Sequence, residues 1–462
     1  MSVRVTPRAL DFVLESGLNG IQDLLSQVEI PNVRLPFGNG FVEVSDNKVT
    51  RFTRPSFSKN FQIGRLDVNI EGGGVSLEGD WNGQYTFIFT IRGSGTFEVH
   101  ADEIAASVSL GAVRALDGTF QLENLGCSVD VRNLDIVMHG GLVGFILNIF
   151  SGLIENFVRP QIGEQVCQLA TTFIHTQASQ GMIGFDILDG AFVADYSMVL
   201  QPEVSPLYLQ TYHKGEIRQP NATQPTPFEP PELLYVDPND RMIYFFASDY
   251  VINSFFYHAH THGILQAEVT ADISPDIAPF LAFTCEELCI GKLFPTIANL
   301  FPNGHAEFSV RTNRRPVVAF MAEGFEFAWL EAGVQIDMFA ADGQRREKAI
   351  EMQVGISGKM IFLVNSNNTG VGAHFGNAGL EVTEIVPLIG GPVDEDAIKE
   401  QVGMLGPVLA TPINGVLEPG IPIPMFQGVT LTNTDIALLD RTMVLATDLV
   451  VTDEEAFRRV KS

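Results

Sequence analysis

His213-Lys-Gly-Glu-Ile-Arg-Gln-Pro-Asn-Ala-Thr-Gln-Pro-Thr-Pro-Phe-Glu-Pro-Pro231 lies almost at the midpoint of a 462-residue chain. Its prolines (Pro220, Pro225, Pro227, Pro230 and Pro231) fix φ and remove backbone donors, so the stretch reads as neither helix nor central strand. It is expected to run extended, in polyproline II geometry, as a semi-rigid strap. The segments on either side are similar in length and rich in strand patterns. The division expected is a first domain over 1–212, a linker over 213–236 and a second domain over 237–462, whose last strands fall in or near the sheet between the halves.

The totals agree with two cores. A chain this long exceeds one ordinary hydrophobic core. Hydrophobic residues make up 45% and charged residues 18%, with 34 Phe and 43 Gly, a composition for short strands with glycine turns rather than for disorder. The net charge is -27, and both halves are acidic: 12 Lys and Arg stand against 22 Asp and Glu in residues 1–200, and 16 against 33 in the remainder. Clustered cations for tracking phosphates are missing, which argues against nucleic acid and against electrostatic attachment to anionic membrane. No apolar run has the length of a transmembrane helix.

The start, Met1-Ser-Val-Arg-Val-Thr-Pro-Arg8, carries no secretory h-region, so the chain either stays in the cell or has lost its signal. The cysteines favour secretion. Cys127 and Cys167, and Cys285 and Cys289, lack zinc-finger spacing, and one bridge in each half is the simplest assignment. Sequons at Asn221 and Asn367 agree with an extracellular, glycosylated protein.

Thr6-Pro7 opens an amphipathic helix with Leu10, Leu14, Leu18 and Ile21 on its apolar face. Period-two patterning then runs from Gly40 to Asp135, and in Phe97–Asp102 one face is apolar and the other polar. A helix is expected over about 142–175, with Phe150, Ile154 and Phe157 on its apolar side. The second half repeats the order loosely. A short helix near Ser248–Tyr257 is followed by strands over 265–380, an interrupted helical region over 394–417, and strands over 429–451.

Asp240-Arg-Met-Ile-Tyr-Phe-Phe-Ala-Ser-Asp-Tyr250, together with Lys214-Gly-Glu216, the Cys127/Cys167 pair and Pro422-Ile-Pro424, resembles the bactericidal/permeability-increasing protein, lipopolysaccharide-binding protein and plasma lipid-transfer protein family. The resemblance covers essentially the whole chain. It implies an α+β fold, an elongated two-domain boomerang. Each domain would be a twisted antiparallel β-barrel with two helices, and a central β-sheet would join them. It also implies an apolar pocket in each domain for a phospholipid-like lipid, whose acyl chains stabilise by about 0.8 kcal/mol per buried CH₂. Bactericidal members carry lysines around a tryptophan on an early hairpin. Here Asp80, Asn82 and Gln84 flank Trp81 instead, so lipopolysaccharide killing is not carried over.

Under this resemblance the first pocket draws on Leu14, Leu18, Ile21, Phe150, Ile154 and Phe157, and the second on Phe255, Phe256, Ile264, Met404, Leu405 and Leu409. His258, His260 and His262 form an H-x-H-x-H run. His258 and His262 share a helix face at metal-pair spacing, but no third ligand is placed, so the reading is a polar surface patch without metal. Arg51, Arg54 and Lys59, and Arg345, Arg346 and Lys348, read as cations in solvated turns within reach of a head group. No nucleophile elbow, metalloprotease motif or P-loop is present, and the expectation is no enzyme and no cofactor other than bound lipid. The main expectation is a secreted, monomeric lipid-binding and lipid-transfer protein with two pockets that touches membrane or lipoprotein surfaces transiently. The alternative is an innate-immune binder of lipopolysaccharide or other microbial envelope lipids. A third reading, an intracellular scaffold with filled pockets, requires free thiols at Cys127 and Cys167.

Overall fold

The computed structural model describes residues 1–15, 32–86, 88–140, 151–156, 158–160, 162–164, 166–168, 184–222, 224–237, 240–272, 278–286, 289–322, 324–343, 346–365, 368–391, 393–403, 414–415, 417–423 and 429–452. Two curled antiparallel sheets flank a central one, and among the described residues every strand pairing is antiparallel.

The central sheet is where the two halves of the chain meet. Its strands are β1 (Ser2–Val5), β10 (Glu203–Val204), β11 (Leu209–Tyr212), β13 (Ile243–Ser248), β21 (Val429–Leu439) and β22 (Thr442–Val451), in the order β10-β11-β1-β13-β22-β21. Ser2–Val5 pairs with Leu209–Tyr212 on one side and Ile243–Phe246 on the other, so the first strand bonds both sides of the proline-rich strap. Arg4 anchors this seam. Its Nε donates to Gln210 Oε1 at 2.6 Å, and its guanidinium lies over the rings of Tyr208 and Tyr235 at 4.2 and 4.5 Å.

The N-terminal sheet holds β2 (Val33–Phe37), β3 (Gly40–Thr53), β4 (Ser56–Gln62), β5 (Arg65–Thr86), β6 (Thr90–Arg114) and β7 (Phe120–Gly140), in the order β2-β3-β5-β6-β7 with β4 on β5. Strands of 22 and 25 residues cannot stay flat. Register shifts between Ile70 and Val75 bend β5 against β6. Glu71-Gly-Gly-Gly74 makes this possible. Gly72 has φ of 73°, and a Cβ on Gly74 would meet Asp102 Oδ1 at 2.8 Å.

The C-terminal sheet holds β14 (Gln266–Val269), β15 (His305–Thr312), β16 (Val317–Met321), β17 (Gly324–Phe339), β18 (Arg346–Val364), β19 (Gly370–Pro387) and β20 (Ile421–Pro422). The order is β14-β15-β17-β18-β19-β20, with β16 on β17. Helices in chain order are α1 (7–15), α2 (helical residues between 151 and 168), α3 (Tyr250–Thr261), α4 (Ala278–Leu281), α5 (Ile290–Leu293), α6 (Pro295–Leu300) and α7 (Glu395–Gly403).

Two expectations are corrected. The 265–380 tract is not continuous strand: α4 to α6 interrupt it and insert Ile290 and Ile297 into a buried cluster with Ile336, Met338 and Ile350. The strap does not begin unpaired at His213 either. Glu216–Arg218 is β12, an edge strand in a small sheet with β8 (Gly184–Ile187) and β9 (Phe192–Asp195). Proline-free residues up to Gln219 keep their amide donors, so pairing persists until Pro220. Beyond it the strap lies on the molecule, with Phe228 edge-on to Tyr250 and Tyr257 at 5.7 and 6.0 Å.

Candidate functional site

The concave face of the N-terminal sheet is built by alternation. On β6, Phe97, Val99 and Ala101 are buried, while Glu98 and His100 face outward and pair with each other. Neighbouring strands add Val42, Val44, Leu77 and Trp81 to the same buried cluster. The Trp81 indole N–H donates to His139 O at 3.0 Å, which satisfies its only polar atom. Trp81 therefore belongs to the core, and Asp80 and Asn82 beside it face outward.

Helix α2 covers this face. Ile154 is buried in the Trp81 cluster, with Leu153 and Val158 at its edge, and Ile162 packs on a second patch of Ala101, Ile104 and Val131. The Cys127–Cys167 disulfide ties β7 to α2. Leu14 of α1 packs with Leu10 against Phe61, Leu66, Val108 and Val204, next to Cys127. Ile154 and Leu14 thus occupy different apolar patches under two helices of one sheet. Leu18, Ile21, Phe150 and Phe157 lie outside the described residues.

In the C-terminal half Phe255 and Phe256 diverge. Phe256 enters a cluster with Val318, Phe320, Met360 and Phe375 against the C-terminal sheet. Phe255 points to the small sheet, with its ring 4.9 Å from Phe192. Ile264 follows α3 and is 40% exposed. Met404, Leu405, Leu409 and the sequon residue Asn367 lie outside the described residues, and Asn221 sits in an exposed turn of the strap. Cys285 and Cys289 are bonded to each other, and among the described residues no free cysteine is present.

Arg54 is exposed in the connection between β3 and β4, as a turn cation would be, but two other basic groups are held by carboxylates. Lys59 lies on β4 and pairs with Asp11 of α1, and burial lowers its pKa. Arg346 lies on β18 and is held by buried Asp337, with Nε at 2.9 Å from Oδ2. Arg345 is outside the described residues. The histidine run is a surface patch only in part: His262 is exposed and His260 half-buried. His258 is buried and lies 3.7 Å from Glu216 of β12, a partner 42 positions earlier that spacing along the chain could not reveal. Among the described residues no group of three His, Cys, Asp or Glu is arranged to hold a metal ion, and no helix is long and apolar enough to cross a membrane.

Tyr85-Thr-Phe-Ile-Phe-Thr-Ile91 alternates as a single strand would, with Tyr85, Phe87, Phe89 and Ile91 on one face, but the structure corrects this: β5 ends at Thr86 and β6 begins at Thr90. At the turn between β5 and β6, Ile88 is 83% and Phe89 is 69% exposed. The adjacent Phe37 and Tyr85 rings stack at 5.2 Å and stiffen that end of the sheet. The turn was hidden in the sequence because no glycine, proline, asparagine or aspartate marks it.

Curled sheets covered by helices over apolar concave faces, and sharing one central sheet, place the protein in the class of two-domain folds with curled antiparallel half-barrels. Residues 9–177 match the LBP / BPI / CETP family, N-terminal domain, and residues 186–451 match its C-terminal domain; the chain belongs to this family. It is 22% identical over 472 residues to a bactericidal permeability-increasing protein of Sebastes schlegelii, covering 98% of this chain and 95% of that protein. It is 24% identical to the human lipopolysaccharide-binding protein, over 69% of this chain and 66% of that one. The mouse phospholipid transfer protein is 24% identical over 64% of this chain and 60% of its own length. A crystal structure of lipopolysaccharide binding protein superposes with a TM-score of 0.59 at 20% identity, over 98% of this chain and 99% of that chain, and shares the fold.

Proposed function

We propose that this protein is a secreted carrier that binds and transfers phospholipid-like amphipathic lipids, holding acyl chains under α1 and α2 in the N-terminal half and beside α3 in the C-terminal half. Family membership across both halves carries the reading, and the apolar concave faces supply the chemistry: a lipid chain entering either face leaves water at about 0.8 kcal/mol per CH₂. No covalent step is required. The pockets would include Leu14, Ile154 and Phe256, together with Leu18, Ile21, Phe150, Phe157, Met404, Leu405 and Leu409 from outside the described residues. Phe255 and Ile264 serve instead at the junction and the surface. The exposed Ile88–Phe89 turn is the part best suited to touch a lipid surface. Secretion agrees with two disulfides and with an exposed sequon at Asn221.

Lipopolysaccharide is the second reading, favoured by the relatives' names. Trp81 is core and its neighbours are acidic or neutral, so phosphate binding at that hairpin lacks its cations. The test is transfer of a fluorescent phosphatidylcholine between neutral vesicles by delipidated protein, with lipopolysaccharide as competitor. Transfer without effective competition supports the first reading. No transfer, with tight and salt-sensitive lipopolysaccharide binding, supports the second.

A further inference from the structure

The junction between the small sheet and α3 buries a polar group that the lipid cradles do not use. His258 on α3 is 2% exposed and Glu216 on β12 is 1% exposed. His258 Nε2 stands 3.7 Å from Glu216 Oε1, too far for a hydrogen bond. Neither ring nitrogen of His258, nor that Glu216 oxygen, has a hydrogen-bond partner. Around them the junction is apolar: Phe192, Ala194, Tyr196 and Ile217 meet Val251, Phe255 and Ala259 of α3. A hydrogen bond from Ile217 N–H to Ser254 Oγ, 2.9 Å, crosses the seam.

The charges facing His258 are already balanced. Lys214 Nζ is 2.6 Å from Glu216 Oε2 and 3.4 Å from Asp195 Oδ2, and Arg218 Nε is 3.9 Å from the same Asp195 oxygen. Two carboxylates thus offset two cations. From its own helix come the stacked ring of His262 at 6.2 Å, the edge-on ring of Tyr257 at 5.1 Å, His260, which bonds Thr312, and Tyr250 at the first turn. β16, which also packs on α3, carries no titratable side chain, and β13 offers Tyr244, which packs in a separate cluster with Phe246 and Val444. Over the strap, Arg315 lies on the Phe228 ring. A proton on His258 would leave a net positive charge in an apolar seam and a second N–H without an acceptor, an arrangement that burial disfavours.

We propose that His258 and Glu216 form an acid-operated latch: neutral His258 lets α3 close on the small sheet, and proton uptake in mild acid opens that junction. Burial is the largest influence on the imidazole and lowers its pKa, against the pull of Glu216, while His262 and Arg218 add to the lowering. A group depressed in the closed state binds its proton more readily once the junction opens. Closure is therefore at full strength above the ordinary imidazole value of about 6.5 and is lost as pH falls through the closed-state value. Phe255 and Phe256 are neighbours on α3, so opening on the Phe192 side moves the helix that also packs on the C-terminal sheet. The latch stands whether or not the cradles hold lipid.

Hydrogen–deuterium exchange on the full chain between pH 7.4 and pH 5.0, corrected for intrinsic rates, tests it. Peptides containing the Ile217 amide and α3 should gain exchange by about tenfold per pH unit between the open and closed pKa values. His258→Leu should abolish that step while peptides of the N-terminal sheet stay unchanged. A step of equal size in His258→Leu, or none in the wild type, overturns the latch. Should His258→Leu not fold, an NMR titration of the wild-type imidazole decides. A pKa below about 6.5 supports the latch, and one at or above it refutes it.

Discussion

Removing the Cys127–Cys167 bridge by Cys127→Ala/Cys167→Ala should weaken the N-terminal half far more than Cys285→Ala/Cys289→Ala weakens the C-terminal half. The first bridge spans 40 positions and the second 4. On the chain-entropy relation these closures restrict the unfolded chain by about 4 and about 2 kcal/mol respectively. The first bridge also fixes α2 on the sheet at the end near Leu14, while Ile154 holds the other end in the Trp81 cluster. The chain has two tryptophans, so Trp329→Phe leaves Trp81, buried against His139 O, as the reporter of the N-terminal half. Urea unfolding followed by its fluorescence should shift by about 1.5 M for a loss of that size, given a slope of roughly 2–3 kcal/mol/M. A shift of a few tenths molar, or one no larger than the shift the short bridge produces in its own half, would refute the view that this bridge holds α2 over the concave face.

Asp249 is fully buried and receives two bonds of 2.9 Å from Arg441, whose side chain is half exposed. Arg441→Ala strands a buried carboxylate and should reduce stability by about 3–5 kcal/mol. Asp249→Asn leaves an arginine that can reach water and should lose roughly 1–3 kcal/mol, and calorimetry reads the order of the two. Ile88→Ser/Phe89→Ser should leave thermal stability unchanged. In vesicle sedimentation it should weaken binding to neutral phosphatidylcholine by about 2 kcal/mol, roughly thirtyfold. Burial pushes His213 down to about 4, against its bond to Tyr196 O. Its contribution is complete above about 6.5 and falls away toward pH 4, a loss of about 3 kcal/mol. His213→Gln should flatten the stability profile across that window.

Much of this architecture was legible because two periods are written plainly in the chain. Phe97, Val99 and Ala101 alternate with Glu98 and His100, and burial follows that alternation. The proline-rich strap marked the midpoint because five missing amide donors leave few structures open to it. The short helices α4 to α6 were not legible. Four to six residues cannot establish a helical period, although Pro295 at the start of α6 is a local signal. The burial of His258 was hidden for a different reason. Three polar residues at alternate positions resemble a surface, and only the folded chain brings Glu216 against one of them. Arg346 and Lys59 were misread for the same cause: Asp337 and Asp11 reach them through the fold rather than through the sequence.

Both functional readings require the apolar cradles to hold lipid. Native mass spectrometry of protein secreted from eukaryotic cells, followed by lipid analysis of an organic extract, tests this requirement most directly. Phospholipid-like molecules should co-purify, up to one per cradle, and leave on delipidation while the protein stays folded. A folded protein that emerges free of lipid, and takes none up from vesicles, would contradict it.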